Sequence, residues 1–213
     1  MRKILGLASL ALMLLAGVAC NNEDVPNEPQ GKYPILFGCT DTTRADVGAA
    51  TIDDLKNNGF KVYAFVDGVN DISFTKDVYW VEDDLVWAYD NLEYWVPGCE
   101  YSFRAFYPNP KDNYTLNVDT TSADLGYTID NFDITSQKDI LVAEAGPLTV
   151  DPVLVAPESG SVVDLDFQHL LANVVVKIKS EIPNVTVSNV SFEGVAQSGK
   201  YENEKWTAGQ TTR

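Results

Sequence analysis

The chain has 213 residues, with 31 acidic against 15 basic side chains and a formal net charge of −16. An acidic balance spread in ones and twos, with no basic stripe, excludes nucleic acid as a partner and reads as a solvated surface. Aromatic residues make up 11% of the chain, which excludes disorder, and the length allows one large domain or two small ones.

Arg2 and Lys3 open the chain, Ile4 to Val18 is apolar, and the small residues Ala16, Gly17 and Ala19 lead into Cys20. Residues 1–19 therefore read as a secretory signal peptide, too short for a comfortable membrane span and ending as a cleavage site requires. Gly17-Val18-Ala19-Cys20 resembles a bacterial lipobox, which makes Cys20 the expected lipid acceptor and the first residue of the mature chain. The competing reading is a plain signal peptide followed by an ordinary thiol. Acyl chains on Cys20 would hold the protein on a bilayer. Residues 20–32 are polar and proline-containing and read as a flexible tether, and 33–213 as the folded domain.

In "KYPILFGC" the residues Ile35, Phe37 and Cys39 alternate as in a half-buried strand. The polar loop "TTRADVGAA" leads to "TIDDLKNNGF", a short helix with Thr51 as N-cap, Asp54 three residues on and Gly59 just past the end. From there β signals dominate. "FKVYAFV" alternates, and "ISFTKDVYWVEDDLVWAY" divides into three short strands with Glu82-Asp83-Asp84 as a turn. "YSFRAFYP" stops at Pro108, and "LGYTIDNF", "DILVAEA", "VVDLDF", "NVVVKIKS" and "VTVSNVSFEG" follow. His169 to Ala172 hints at a helical turn, and "KYENEKWTAGQTTR" holds a last strand. About ten short strands with turn chemistry between them predict an all-β sandwich carrying one or two short helices.

Nothing in this pattern asks for catalysis, a metal or a cofactor. The one histidine, His169, lies in an apolar setting and reads as a core or strand-end residue satisfied by hydrogen bonds. Asp164 and Asp166 share one face of a strand and read as solvent-exposed rather than as a glycosidase pair. The acidic run 82–84 lacks the spacing of a calcium loop. Cys39 and Cys99 either pair in an oxidising envelope or stay as two buried thiols. Trp80, Trp87, Tyr89, Tyr94 and Trp95 either fill the core or form a platform that stacks on sugar rings. The second option would make the chain a glycan-binding surface lipoprotein.

Four stretches in order carry a family resemblance. "WAYDNLEYWVPGCEYSFRAFYP" resembles the tryptophan-rich hairpin of the Bacteroidales fimbrillins, and "SQKDILVAEA" their Gln-x-Asp-Leu/Ile segment. "VVDLDFQHLLANVVVKI" is similar to their Val-x-Leu-x-Phe-x-His-x-Leu-Ala stretch, and "TTRADVG" with "LKNNGFKVYAF" to their opening segment. The resemblance covers about residues 40–206. It implies a transthyretin-like β-sandwich on a lipid-anchored fimbrial subunit that is structural or adhesive and not an enzyme. Expected partners are other fimbrial subunits, joined by donor-strand addition, the outer membrane, and host or bacterial surface ligands. Carried over by position, Arg44 is the processing site and Tyr33–Cys39 the strand removed, with Ile35, Leu36 and Phe37 its apolar grip. The family also implies a second sandwich beyond this sequence, so the chain reads as a fragment more readily than as a cap. Glu23-Asp24 is similar to the tag that exports Bacteroidetes lipoproteins to the outer face of the outer membrane. The "DTT" at 41–43 and 119–121 resembles an O-glycosylation acceptor of the same bacteria, which implies Thr42 and Thr120 as modified residues.

Overall fold

The computed structural model describes residues 33–40, 49–68, 72–110, 114–136, 138–151, 162–172, 174, 176–182, 184–191 and 193–209. The expected signal peptide, Cys20, the tether, Thr42 and Arg44 lie outside them.

The expected helix forms as α1 (Ile52–Asn58), and its ends are built by the residues that announced them. The Thr51 hydroxyl accepts from the Asp54 amide while the Asp54 carboxylate accepts from the Thr51 amide at 2.8 Å, a reciprocal capping box. Gly59 closes the helix at φ 69°, where an added Cβ would stand 2.4 Å from the Val78 carbonyl oxygen. Only Leu55 of the helix is fully buried, so packing rather than length holds seven residues helical.

The rest is β structure, an all-β sandwich. In chain order the strands are β1 (Leu36–Thr40), β2 (Phe60–Asp67), β3 (Ile72–Val81), β4 (Val86–Ala88), β5 (Glu100–Tyr107) and β6 (Thr115–Val118). There follow β7 (Tyr127–Asp133), β8 (Leu141–Thr149), β9 (Val162–Asp166), β10 (Gln168–His169), β11 (Ser198–Glu202) and β12 (Lys205–Ala208). A six-stranded antiparallel sheet runs β10-β8-β5-β2-β3-β4, a four-stranded one β12-β11-β7-β6, and β1 pairs with β9 in a two-stranded parallel sheet. Alternation decides the core. Phe60, Val62, Ala64 and Val66 of β2 and Tyr101, Phe103 and Ala105 of β5 pack with Ile35, Phe37, Val163, Leu165 and Phe167 in one cluster. Tyr114, Ile129, Phe132 and Ile140 form a second cluster, joined by Tyr201 and Trp206.

Several expectations are corrected. The segment 72–81 is one ten-residue strand, not two, so 72–88 holds two strands. Its polar Lys76 and Asp77 look like a break but sit mid-ladder, where Lys76 reaches Glu93 at 2.7 Å and Asp77 pairs with Lys61 at 3.0 Å. His169 to Ala172 is not helical: His169 ends β10, and Leu170 and Leu171 pack on the second cluster. The C-terminal stretch is a hairpin of two strands, turned by Asn203 and Glu204 at φ 49° and 59°. The short strand β6 carried no alternating signal strong enough to read. The described residues of "NVVVKIKS" and "VTVSNVSFEG" join no ladder, and Val174 and Ile178 are 74% and 56% exposed. Strand propensity reports fit to a neighbouring pleated surface, and here none of the described strands supplies one.

Replacing Thr51 with Ala should cost about 1 kcal/mol. Gly59→Ala should cost more, because a Cβ collides with backbone that cannot swing aside. Urea denaturation of the two variants would show this order, and the reverse order would contradict the capping account.

Candidate functional site

The first strand is built like an insert. Its inward residues are Ile35, fully buried, and Phe37, whose ring meets Tyr89 at 5.5 Å and Phe103 at 5.8 Å between centroids. Burial of two such side chains contributes about 1.5–3 kcal/mol each. Leu36 does not share this grip. It lies half-buried on the opposite face, in register with the exposed Val162, because successive side chains alternate across a strand. On that same outer face a Cβ at Gly38 would meet Asp164 Oδ1 at 2.9 Å.

Along β1 the ladder partner is β9, in parallel register from Leu36↔Val162 to Thr40↔Asp166. At its entrance the segment 93–95 holds it from the other side. The Ile35 amide donates to the Glu93 carbonyl at 2.9 Å, and the Trp95 amide donates to the Tyr33 carbonyl at 3.0 Å. The buried Tyr89 hydroxyl donates to the Ile35 carbonyl at 2.6 Å. Lys76 braces this segment, bridging to Glu93 and donating to the Asn91 carbonyl at 2.8 Å. Backbone pairing to β9 and burial of Ile35 and Phe37 thus act together to hold β1.

Cys39 and Cys99 are both free thiols. Burial pushes the Cys39 thiol up to about 12, with the Asp164 carboxylate adding to the shift. Three of the five aromatic residues fill the core. Trp87, Tyr89 and Trp95 are buried in the core at 9%, 5% and 4% exposure, leaving Trp80 half-buried and Tyr94 exposed. Lys56 sits over the Trp80 ring at 4.6 Å, and Glu82 accepts from its indole nitrogen at 2.6 Å. Thr120 lies half-buried in the turn after β6, beside Thr121, whose hydroxyl donates to Asp119 at 2.6 Å. Asp164 and Asp166 are exposed, as expected.

A fimbrillin-like family profile matches residues 43–213. The chain belongs to the fimbrillin-like family. Searches of curated proteins and of solved structures each returned no match. A fimbrillin-like chain is a fimbrial subunit, structural in kind, surface-associated and assembled with other such subunits.

One close pair in this chain was not read from the sequence. His169 Nδ1 lies 2.6 Å from Asp139 Oδ2, with both side chains about nine-tenths buried at 9% and 11% exposure. A carboxylate only accepts, so Nδ1 carries the proton. The two residues stand in two of the stretches that carry the family resemblance, "SQKDILVAEA" and "VVDLDFQHLLA". A lone buried histidine needs an acceptor, and that need was the available signal.

Because native Cys39 keeps its proton where an unfolded thiol loses it, stability should fall as pH rises from the ordinary thiol range towards about 12. Near pH 8, iodoacetamide should modify native Cys39 at least about tenfold more slowly than in the urea-unfolded chain. Equal rates would contradict the burial described above.

Proposed function

We propose that this fimbrillin-like subunit is anchored to the outer membrane by lipid on Cys20 and assembles by strand addition. In this reading Tyr33–Cys39 is given up after cleavage at Arg44, and the vacated groove beside β9 receives a strand from another subunit. The observation that carries the reading is the seating of β1. It is laddered in parallel to the five-residue β9, held at its entrance by segment 93–95, and gripped by Ile35 and Phe37. The family match begins at residue 43, beyond this strand, so the matched body and the proposed leaving strand are separate stretches of chain.

An incoming strand in the same register needs apolar side chains at the Ile35 and Phe37 positions and a small residue opposite Asp164. The physics favours exchange over loss. An empty groove leaves buried ladder groups unpaired and apolar pockets wet, and both costs vanish when another strand enters. Burial of Trp87, Tyr89 and Trp95 removes the main support for a glycan platform.

The test begins with cleavage of the intact chain by an Arg-specific protease. A labelled peptide of sequence Tyr33–Cys39, added in excess, should exchange into the cleaved protein and not into an Arg44→Ala variant. A Phe37→Asp peptide should bind at least about a hundredfold more weakly. Failure of the native peptide to enter, or equal binding of both peptides, would overturn the reading. Intact mass spectrometry should find acyl chains on Cys20, and Cys20→Ser should release the exported protein from membranes.

A further inference from the structure

Strand exchange as proposed above demands that the chain downstream of the cut stay docked while the chain upstream departs. The segment just downstream is poorly equipped to hold itself. The helix α1 has seven residues and one fully buried side chain, far below the length at which a helix persists alone. Besides core packing of Ala50 and Leu55, its approach is held by a carboxylate from elsewhere. The Ala50 amide donates to Asp139 Oδ2 at 3.1 Å across 89 residues, and the same oxygen receives His169 Nδ1 at 2.6 Å. The other oxygen, Oδ1, accepts from the Ile140 amide at 2.9 Å. Three donors thus converge on one buried charge, and hydrogen bonds to a charged group are the stronger kind.

The location of these groups matters as much as their number. Asp139 lies two residues before β8, an inner strand of the six-stranded sheet, and His169 sits on β10 at its edge, paired with Leu141. The Leu170 amide donates to the Ile140 carbonyl at 2.9 Å and ties β10 to the same point. None of these partners belongs to β1 or β9. His169 Nε2 is buried with no hydrogen-bond partner among the described residues, so the imidazole has Asp139 as its polar hold.

We propose that Asp139, positioned by His169, is a clasp that fastens the chain from Ala50 onward to the sandwich independently of β1. The clasp divides the molecule into a part that leaves and a part that stays. This inference deepens the strand-exchange reading and takes its purpose from it, but its test does not require cleavage.

The experiment is segment-resolved hydrogen exchange on the intact, uncut chain. Asp139→Ala should speed exchange across 49–58 by about tenfold or more while changing 33–40 by less than about twofold. His169→Gln, which can still donate to Asp139, should restore most of the protection lost in His169→Ala. Acceleration of 33–40 together with 49–58 would show one cooperative unit and overturn the clasp, as would unchanged exchange at 49–58 or absence of rescue by Gln. Should Asp139→Ala fail to fold, Asp139→Asn, which keeps one acceptor oxygen, should give the same segmental pattern at smaller amplitude. If the peptide fails to enter the cleaved chain while the exchange pattern holds, strand addition falls and the clasp stands.

Discussion

A sheet face carrying Phe60, Val62, Ala64, Val66, Tyr101, Phe103 and Ala105 has to be covered along its length, and the parallel pair β1 and β9 supplies much of that cover. This requirement governs the rest of the molecule. Strand β1 contributes Ile35 and Phe37 to the cover, and its backbone is gripped by β9, by segment 93–95 and by the Tyr89 hydroxyl. Side-chain burial fixes the alternating apolar pattern of this strand, and the ladder to β9 fixes its register.

Aromatic residues solve a second problem. Phe103 touches Phe37, Phe74, Trp95 and Tyr101 within one cluster, so a single ring knits β1, β3, β5 and the 89–99 segment. Tyrosines add polar tips to this. Tyr89 reaches the Ile35 carbonyl, and the Tyr101 hydroxyl accepts from the Val96 amide at 2.8 Å. Irregular backbone around the groove is thereby satisfied without a further strand, which an isolated loop could not achieve. Among the described residues, the same economy of partners is seen at Asp139, where one carboxylate serves Ala50, Ile140 and His169.

Separate sets of contacts hold the first strand and the chain around α1 to the sandwich. The sheet β10-β8-β5-β2-β3-β4 and the clasp at Asp139 form the fastened part. The first strand is seated in it. Val174, Val176, Val185, Val187 and Val190 are each exposed.

Local chemistry was legible in the residues themselves. Thr51, Asp54 and Gly59 delimit α1 through contacts within a few residues, so the sequence contains the whole capping argument. The all-β class, the inward set Ile35 and Phe37, and most strands followed from period-two alternation for the same reason. Long-range choices were not legible. That Lys76 and Asp77 continue a strand depends on Glu93 and Lys61; that Leu36 faces outward against Val162 depends on β9; that Trp87 and Trp95 are core depends on Phe60 and Tyr101. The stretch 174–190 has every mark of strand, yet none of its described residues enters a ladder. The sequence by itself determined the helix, the β character and the family. Only the tertiary structure decided which strand β1 pairs with and which carboxylate meets the histidine, because both depend on partners tens of residues away that alternation and propensity do not encode.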